Sequence, residues 1–347
     1  LMGMINGTSA GNVVATGSLT IPLMKKVGYK PQTAASVEAA ASTGGQIMPP
    51  IMGAGAFIMA EITAIPYQDI AIAALIPAIL YFVSVYFMVD KEALKNGMQG
   101  LPRSQLPSLP LMMKRVFLFI PIVILIGALF MGYSVIRAGT LAMGAAAVVS
   151  WFTPTKMGIK EIFWGLEIAA RMALQMVAVC AAAGVIVGVI ALTGVGTRFS
   201  SLLLELAGQS QLIAMVFAML VAIILGMGMP TTAAYAVAAA VIAPGLIRMG
   251  VPVLTAHFFI FYYAVISAIT PPVALASYAG AAIAQSDPMR TSVESFKFGL
   301  AAFVVPFMFF YAPQMLMQGS WLEIGHVFLT ALFGIYMMAS AVQGWMW

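Results

Sequence analysis

Of the 347 residues, 62% are hydrophobic and only 8% carry a charge, whereas an average soluble domain carries roughly 25% charged residues. So few charges cannot clothe a soluble fold, and so apolar a chain is not disordered. The net charge of +5 would suit nucleic acid, but basic residues in a membrane chain mark cytoplasmic loops, so their positions decide.

A transmembrane helix needs roughly 20 mostly apolar residues. In chain order, NGTSAGN (6–12) precedes an apolar run that ends at Lys25 and Lys26. The motif STGGQIMPP (42–50) splits a run over 32–60. Uninterrupted spans are expected over 70–89, 116–133 and 138–152, with a polar, proline-containing loop at 90–115. KEIFWGLEIAAR (160–171) mixes charge with Phe163, Trp164 and Leu166 and reads as an interfacial helix. A span follows over 173–193. GMGMPTT (226–232) splits the run 212–246, and SAITPP (267–272) splits 254–284. Spans over 298–315 and 327–346 complete the set. Proline lacks an N–H and clashes with the preceding turn, so each proline site among the four breaks should end one helix and start another. Lipid cannot hydrate the freed backbone groups, so such breaks belong inside protein or beside a watery cavity.

An offset of 222 residues aligns Ser9 with Thr231, Pro22 with Pro244, Lys26 with Arg248, Gly28 with Gly250, and Pro49–Pro50 with Pro271–Pro272. The alignment runs without a gap for about 55 residues. Each copy reads as a re-entrant hairpin arm, a basic turn and a broken helix. If both hairpins enter and leave on one face, 13 of the 16 Lys and Arg fall on one side, and only Arg137, Arg198 and Arg248 on the other. The positive-inside rule makes the first side cytoplasmic and the two repeats inverted. The expected fold is an all-α polytopic membrane protein with inverted repeats, each holding a re-entrant hairpin and a broken transmembrane helix. Four regions follow: a first repeat core at 1–68, scaffold helices with the loop and the interfacial helix at 69–172, a second repeat core at 173–290, and a C-terminal scaffold helix plus tail helix at 291–347.

Broken helices offer N-termini to anions and unwound carbonyls to Na⁺. Neutral oxygens cluster at the breaks: Asn6, Thr8, Ser9, Asn12, Ser42 and Thr43 in the first copy, and Thr231, Thr232, Ser267 and Thr270 in the second. Each hydroxyl alone could instead bond back to its own helix. Gly7, Gly11, Gly44, Gly45, Gly226 and Gly228 permit tight turns. No charge falls at these motifs. Glu38, two turns into a helix, has three readings: snorkelling, pairing with a lysine, or carrying a proton. His257 reads as neutral and hydrogen-bonded, and His326 as interfacial.

Gly7-Thr8-Ser9-Ala10-Gly11 matches the nucleophile elbow G-x-S-x-G, but that motif needs a preceding strand and acid and histidine partners, and the sequence supplies none nearby. No other enzyme signature occurs, so the chain is not expected to be an enzyme. Cys180, the single cysteine, excludes a disulfide framework and a cysteine metal cluster and reads as a small packing residue. Gly184-x-x-x-Gly188 is a weak helix-packing motif. The sequence starts at Leu1 inside a patterned segment with no signal peptide and ends at Trp347 in an apolar run, as a piece of a longer chain would.

NGTSAGNVVATGSLTIPLMKKVGY with AAASTGGQIMPPIMGAG resembles the first half of the large membrane subunit of TRAP transporters (tripartite ATP-independent periplasmic transporters). GMGMPTTAAYAVAAAVIAPGLIRMGVP with FYYAVISAITPPVALASYAG resembles its second half. The TTAAY wording and the tail after Gly319 are most similar to fused membrane proteins that work with TAXI-type binding proteins. The resemblance implies an elevator fold of the ion-transporter superfamily in a bacterial or archaeal cytoplasmic (inner) membrane. It implies Na⁺-coupled import of a small organic anion, usually a carboxylate, delivered by a periplasmic substrate-binding protein. A small membrane subunit, often fused upstream, braces the scaffold. There is no cofactor beyond the coupling Na⁺, and no nucleic acid. The resemblance places one Na⁺ site at Ser9, Asn12, Ser42, Thr43, Gly44 and Gly45, and a second at Thr231, Thr232, Ala268 and Thr270. Substrate would lie between the tips, at Asn6, Thr8, Ser9, Pro49, Pro230, Thr231 and Pro271. The first tip, GTSAGN, is poorer in serine than the family's usual tip, and the first break lacks the usual serine after the paired prolines. Two rival readings are a passive channel or structural membrane module, and H⁺-coupled transport through Glu38 or His257.

Overall fold

A computed structural model describes residues 3, 7–98, 100, 113, 116–154 and 156–346. Among them helix is the only regular structure. The helices are α1 (Ser9–Val27), α2 (Pro31–Gly44), α3 (Ala54–Thr63), α4 (Tyr67–Lys95), α5 (Ile120–Phe130) and α6 (Val135–Ser150). They continue with α7 (Ile159–Thr193), α8 (Val195–Gln209), α9 (Gln211–Gly226), α10 (Thr231–Arg248), α11 (Val253–Ile266), α12 (Leu275–Ala284), α13 (Pro288–Tyr311) and α14 (Trp321–Gln343). Among the described residues α4, α7, α10 and α14 are each long and apolar enough to cross a membrane, and α13 passes the same test as a bent pair. The chain divides into two compact units, Leu1–Gln99 with Ala182–Trp347, and Gly100–Ala181.

In the larger unit the internal repeat survives as structure. Helices α2 and α11 start and end 222 residues apart, and α1 and α10 start 222 apart. Helices α3 and α12 lie 221 apart, as do the starts of α4 and α13. The correspondence therefore reaches a fourth helix beyond the sequence match. The two copies exchange their short helices: α12 packs on α1 and α2, whereas α3 packs on α10 and α11. Small residues permit this crossing, as close helix contact in lipid requires. A methyl group at Gly280 would lie 3.0 Å from the Ala35 carbonyl oxygen, and one at Gly55 would lie 2.7 Å from the Phe261 ring.

Helix α11 forms the centre of this unit and is buried continuously from Thr255 to Ile266. Its own Phe258, Phe259, Tyr262 and Tyr263 are fully buried, as are Tyr81 and Phe309 packed on it, with edge-to-face ring contacts such as Tyr81–Tyr262 at 6.3 Å. The tail helix α14 packs on α4 and α13. Its C-terminal end is held by cations, the favourable sign there: Lys95 Nζ donates to the Gln343 carbonyl at 3.0 Å, and the buried Lys91 Nζ lies 4.2 Å from the centre of the Tyr336 ring.

The smaller unit holds α5, α6 and the first part of α7. Helices α5 and α6 pack together as a hairpin. Most of α7 is exposed: the side chain of Cys180 is exposed rather than packed, and nothing lies within 4 Å of a methyl group at Gly184 or Gly188.

Several expectations are corrected. The stretch 160–171 is no separate interfacial helix but the first part of the continuous α7, because nothing between Arg171 and Ala173 breaks a helix. The expected span 298–315 begins earlier, at Pro288, and bends by 59° between Gly299 and Ala302. Pro306 explains the place: its ring opposes the carbonyl four residues back, at Ala302. Helix α8 was not foreseen. It is too short and too polar to read as a span, but Phe199, Ser200 and Leu203 are buried, and it packs on α10. Residues 99, 101–112, 114 and 115 of the expected 90–115 loop lie outside the described residues.

Candidate functional site

Two breaks and two helix-start tips were expected to meet. In the first copy, Gly7 takes φ +67° and Thr8 caps α1, its hydroxyl accepting from the Gly11 N–H at 3.3 Å. This turn points Ser9 and Asn12 inward, and both are buried. Across the gap, α2 ends at Gly44 and a compact turn carries the chain to α3. Asn12 Nδ2 donates to Ser42 Oγ at 2.8 Å, and Gln46 Nε2 donates to Ser9 Oγ. The tip of α1 is thereby tied twice to the break. Gly3 lies directly against the turn, so that a methyl group at Gly45 would sit 2.7 Å from the Gly3 Cα. Gly44 faces the Tyr81 ring, which leaves no room for a methyl group there.

Two buried oxygens in this turn have no hydrogen-bond donor: Thr43 Oγ1 and Gln46 Oε1. An unpaired buried oxygen costs about 1–3 kcal/mol, and a cation relieves that cost. The structure brings Ser9, Asn12, Ser42, Thr43, Gly44 and Gly45 together, and Gln46 joins them. Glutamine at that position carried no sequence signal apart from its place between a glycine pair and a proline pair.

Glu38 adjoins this cluster. It is buried, and its carboxylate accepts from Thr16 Oγ1, from Thr20 Oγ1 at 2.5 Å and from Ser42 Oγ at 3.0 Å. Ser42 is the hydroxyl bound by Asn12, so the Glu38 carboxyl stands a single hydrogen bond from the cluster. Helix geometry explains why the motifs hid it, since Glu38 and Ser42 are four residues apart and share a face. The only ion pair among the described residues is Arg171–Glu167, so Glu38 is held by hydroxyl groups and not by lysine.

The second copy repeats the backbone but not the bonding. Gly228, with φ +74°, precedes the start of α10. Thr231 and Thr232 are buried in its first turn. Pro230 offers no side-chain cap, and neither do Gly53 before α3 and Ala274 before α12, so no N-cap side chain covers these three helix starts. A methyl group at Gly226 would stand 2.5 Å from Ser267 Oγ, the counterpart of the Gly3–Gly45 contact. Ser267 Oγ donates to the Ala264 carbonyl at 2.7 Å and Thr270 Oγ1 to the Ile266 carbonyl at 2.9 Å. Both hydroxyls thus bond back to their own helix. Ala268 is half-buried beside them.

The two breaks are neighbours, because α2 packs on the 267–269 turn. Thr8, Pro49, Pro230 and Pro271 are half-buried, and Asn6 lies outside the described residues. The second proline of each pair is held alike: the Pro50 carbonyl accepts from Tyr67 Oη at 2.9 Å, and the Pro272 carbonyl from Tyr278 Oη. His257 is buried, with Nδ1 2.7 Å from Tyr235 Oη, a neutral partner.

The family model described as "Tripartite ATP-independent periplasmic transporter, DctM component" matches residues 1–324. The chain belongs to this family. It is a TRAP transporter large membrane component, and such components work in tripartite systems with a substrate-binding protein and a small membrane subunit. A search of curated proteins found no match to the chain. The matched region of this TRAP component contains both tips and both breaks, while most of the tail helix α14 lies beyond it.

Proposed function

We propose that this TRAP component is the permease of a Na⁺-coupled importer that takes an organic anion, a carboxylate, from a periplasmic binding protein of the TAXI type. It works in the cytoplasmic membrane of a bacterium or archaeon. The observation that carries the reading is the pair of unpaired buried oxygens, Thr43 Oγ1 and Gln46 Oε1, in a turn already tied to the α1 tip. Neutral oxygens at an unwound helix end are ligands suited to Na⁺. Na⁺ is cargo in this scheme, held by Thr43, Gln46, Ser9, Asn12 and Ser42. The second Na⁺ draws on Thr231, Thr232, Thr270 and the backbone at Ala268. The uncapped starts of α10, α3 and α12 suit the substrate carboxylate.

Coupling follows from order. Na⁺ fixes the tip against the break before substrate binds, so the two share their free energy of ordering. The tips and broken helices then move together past a scaffold, alternating access to one site. Uptake into vesicles holding the full transporter, supplied with its binding protein, tests this: it should follow an imposed Na⁺ gradient, and passive-channel behaviour would appear as flux that neither saturates nor needs the binding protein.

A second reading is favoured by Glu38. A buried carboxyl in a membrane helix is a functional candidate by default, and the hydroxyls of Thr16, Thr20 and Ser42 around it can accept from its protonated form as well as donate to its ionised one. Under this reading H⁺ replaces Na⁺ as the driving ion.

A further inference from the structure

We propose that a cleft at one end of the larger unit binds the headgroup of an anionic phospholipid. The cleft, of about 580 Å³, lies between the start of α2, the end of α4 and the start of α13. Lys30, Lys95, Arg290 and Lys297 line it, against two acids, Glu92 and Glu294. A second hollow of about 550 Å³ shares Lys30, Thr33, Glu92 and Asn96 with it and extends it toward Gly28.

None of the four cations is ion-paired, since the only ion pair among the described residues lies elsewhere. Neutral donors take the acids instead: Thr33 Oγ1 donates to Glu294 at 2.5 Å, and Asn96 Nδ2 to Glu92 at 2.9 Å. Lys95 and Lys297 each donate to Gln343, at 3.0 and 3.1 Å, which fixes their ammonium groups without neutralising them. Lys30 and Arg290 stay exposed. The cleft therefore holds an excess of two positive charges.

Beside Gln32, its remaining lining is apolar and open: Met289 is 47% and Val293 54% exposed. Basic groups beside exposed apolar side chains match a headgroup joined to acyl chains better than a free anion. The depth agrees. The apolar run of α4 stops at Val89 and is followed by Asp90, Lys91, Glu92 and Lys95, so the cleft lies where that helix passes from its apolar run into polar sequence. Basic pockets between helices at that level attract anionic lipid.

The test uses the purified full chain in a neutral detergent and native mass spectrometry with phosphatidylglycerol, phosphatidylcholine and inorganic phosphate as separate probes. Phosphatidylglycerol should be retained over phosphatidylcholine. The double substitution Lys30→Ala with Arg290→Ala should cut that retention roughly tenfold or more, with helix content unchanged by circular dichroism. If the double variant does not fold, retention by the parent chain at rising ionic strength decides, and it should fall. Equal retention of the two lipids, retention unaffected by salt or by the double substitution, or displacement of phosphatidylglycerol by inorganic phosphate alone would overturn the proposal.

Discussion

Asn12 donates its side-chain amide to Ser42 Oγ at 2.8 Å although 30 residues separate the two. Ser42 passes its own proton toward Glu38 at 3.0 Å. One chain of bonds thus joins the α1 tip, the end of α2 and the buried acid. Any ion that orders the tip acts on the same groups. Asn12→Ala should raise the Na⁺ concentration for half-maximal uptake about tenfold, the loss of one buried hydrogen bond of about 1–1.5 kcal/mol, and Ser42→Ala, which also cuts the bond to Glu38, by at least as much. Because both changes cut the same bond, the double variant should fall well short of the sum. Uptake titrations against Na⁺ in vesicles measure all three.

Thr43→Val separates a ligand from a mere defect. Without Na⁺ the variant should be more stable than the parent, by about 1 kcal/mol or more, since an unpaired buried oxygen has gone. With Na⁺ the order should reverse, because the parent gains binding energy that the variant lacks. Thermal unfolding with and without Na⁺ reads both signs. A parent that Na⁺ does not stabilise would remove Thr43 from the site.

The repeat, the four breaks and the neutral oxygens were legible because Pro, Gly and hydroxyl residues act locally. The 222-residue offset needed only Pro49–Pro50 and Pro271–Pro272 to be seen. What stayed hidden depends on neighbours distant in sequence. Glu38 reads as an isolated acid until Thr16 and Thr20 of α1 are placed beside it. Ser42 and Thr270 look alike as hydroxyls at a break, yet one bonds across to another helix and the other back to its own. Helix α8 was missed because its buried side, Phe199 and Leu203, is too narrow to stand out as a span. The bend in α13 was missed because the apolar run continues unbroken across it.

Gly226 and Ser267 give a packing test. Gly226→Ala drives a methyl group against Ser267 Oγ at 2.5 Å and Cβ at 2.9 Å, so it should destabilise the protein by about 1–3 kcal/mol. Ser267→Gly, which copies Gly45 of the other repeat, should restore most of that loss in the double variant. Thermal unfolding in one detergent compares the set, and an unaltered Gly226→Ala protein would mean that the hairpin does not pack on this break.

Glu38→Gln keeps the shape of the side chain and removes its charge. With Na⁺ as the driving ion, the variant should need more Na⁺ for uptake, because a negative charge near the site has gone, while its pH profile keeps the parent's form. Loss of pH dependence at unchanged Na⁺ dependence would favour the proton reading. Ser9→Ala and Thr231→Val extend the test to both copies, and each should raise the Na⁺ requirement.

The most direct measurement is uptake by the complete transporter reconstituted with its binding protein, under a Na⁺ gradient and a pH gradient imposed separately. The Na⁺ reading predicts accumulation with the Na⁺ gradient alone and none once that gradient is collapsed. Accumulation that persists without Na⁺ and follows the pH gradient would contradict it.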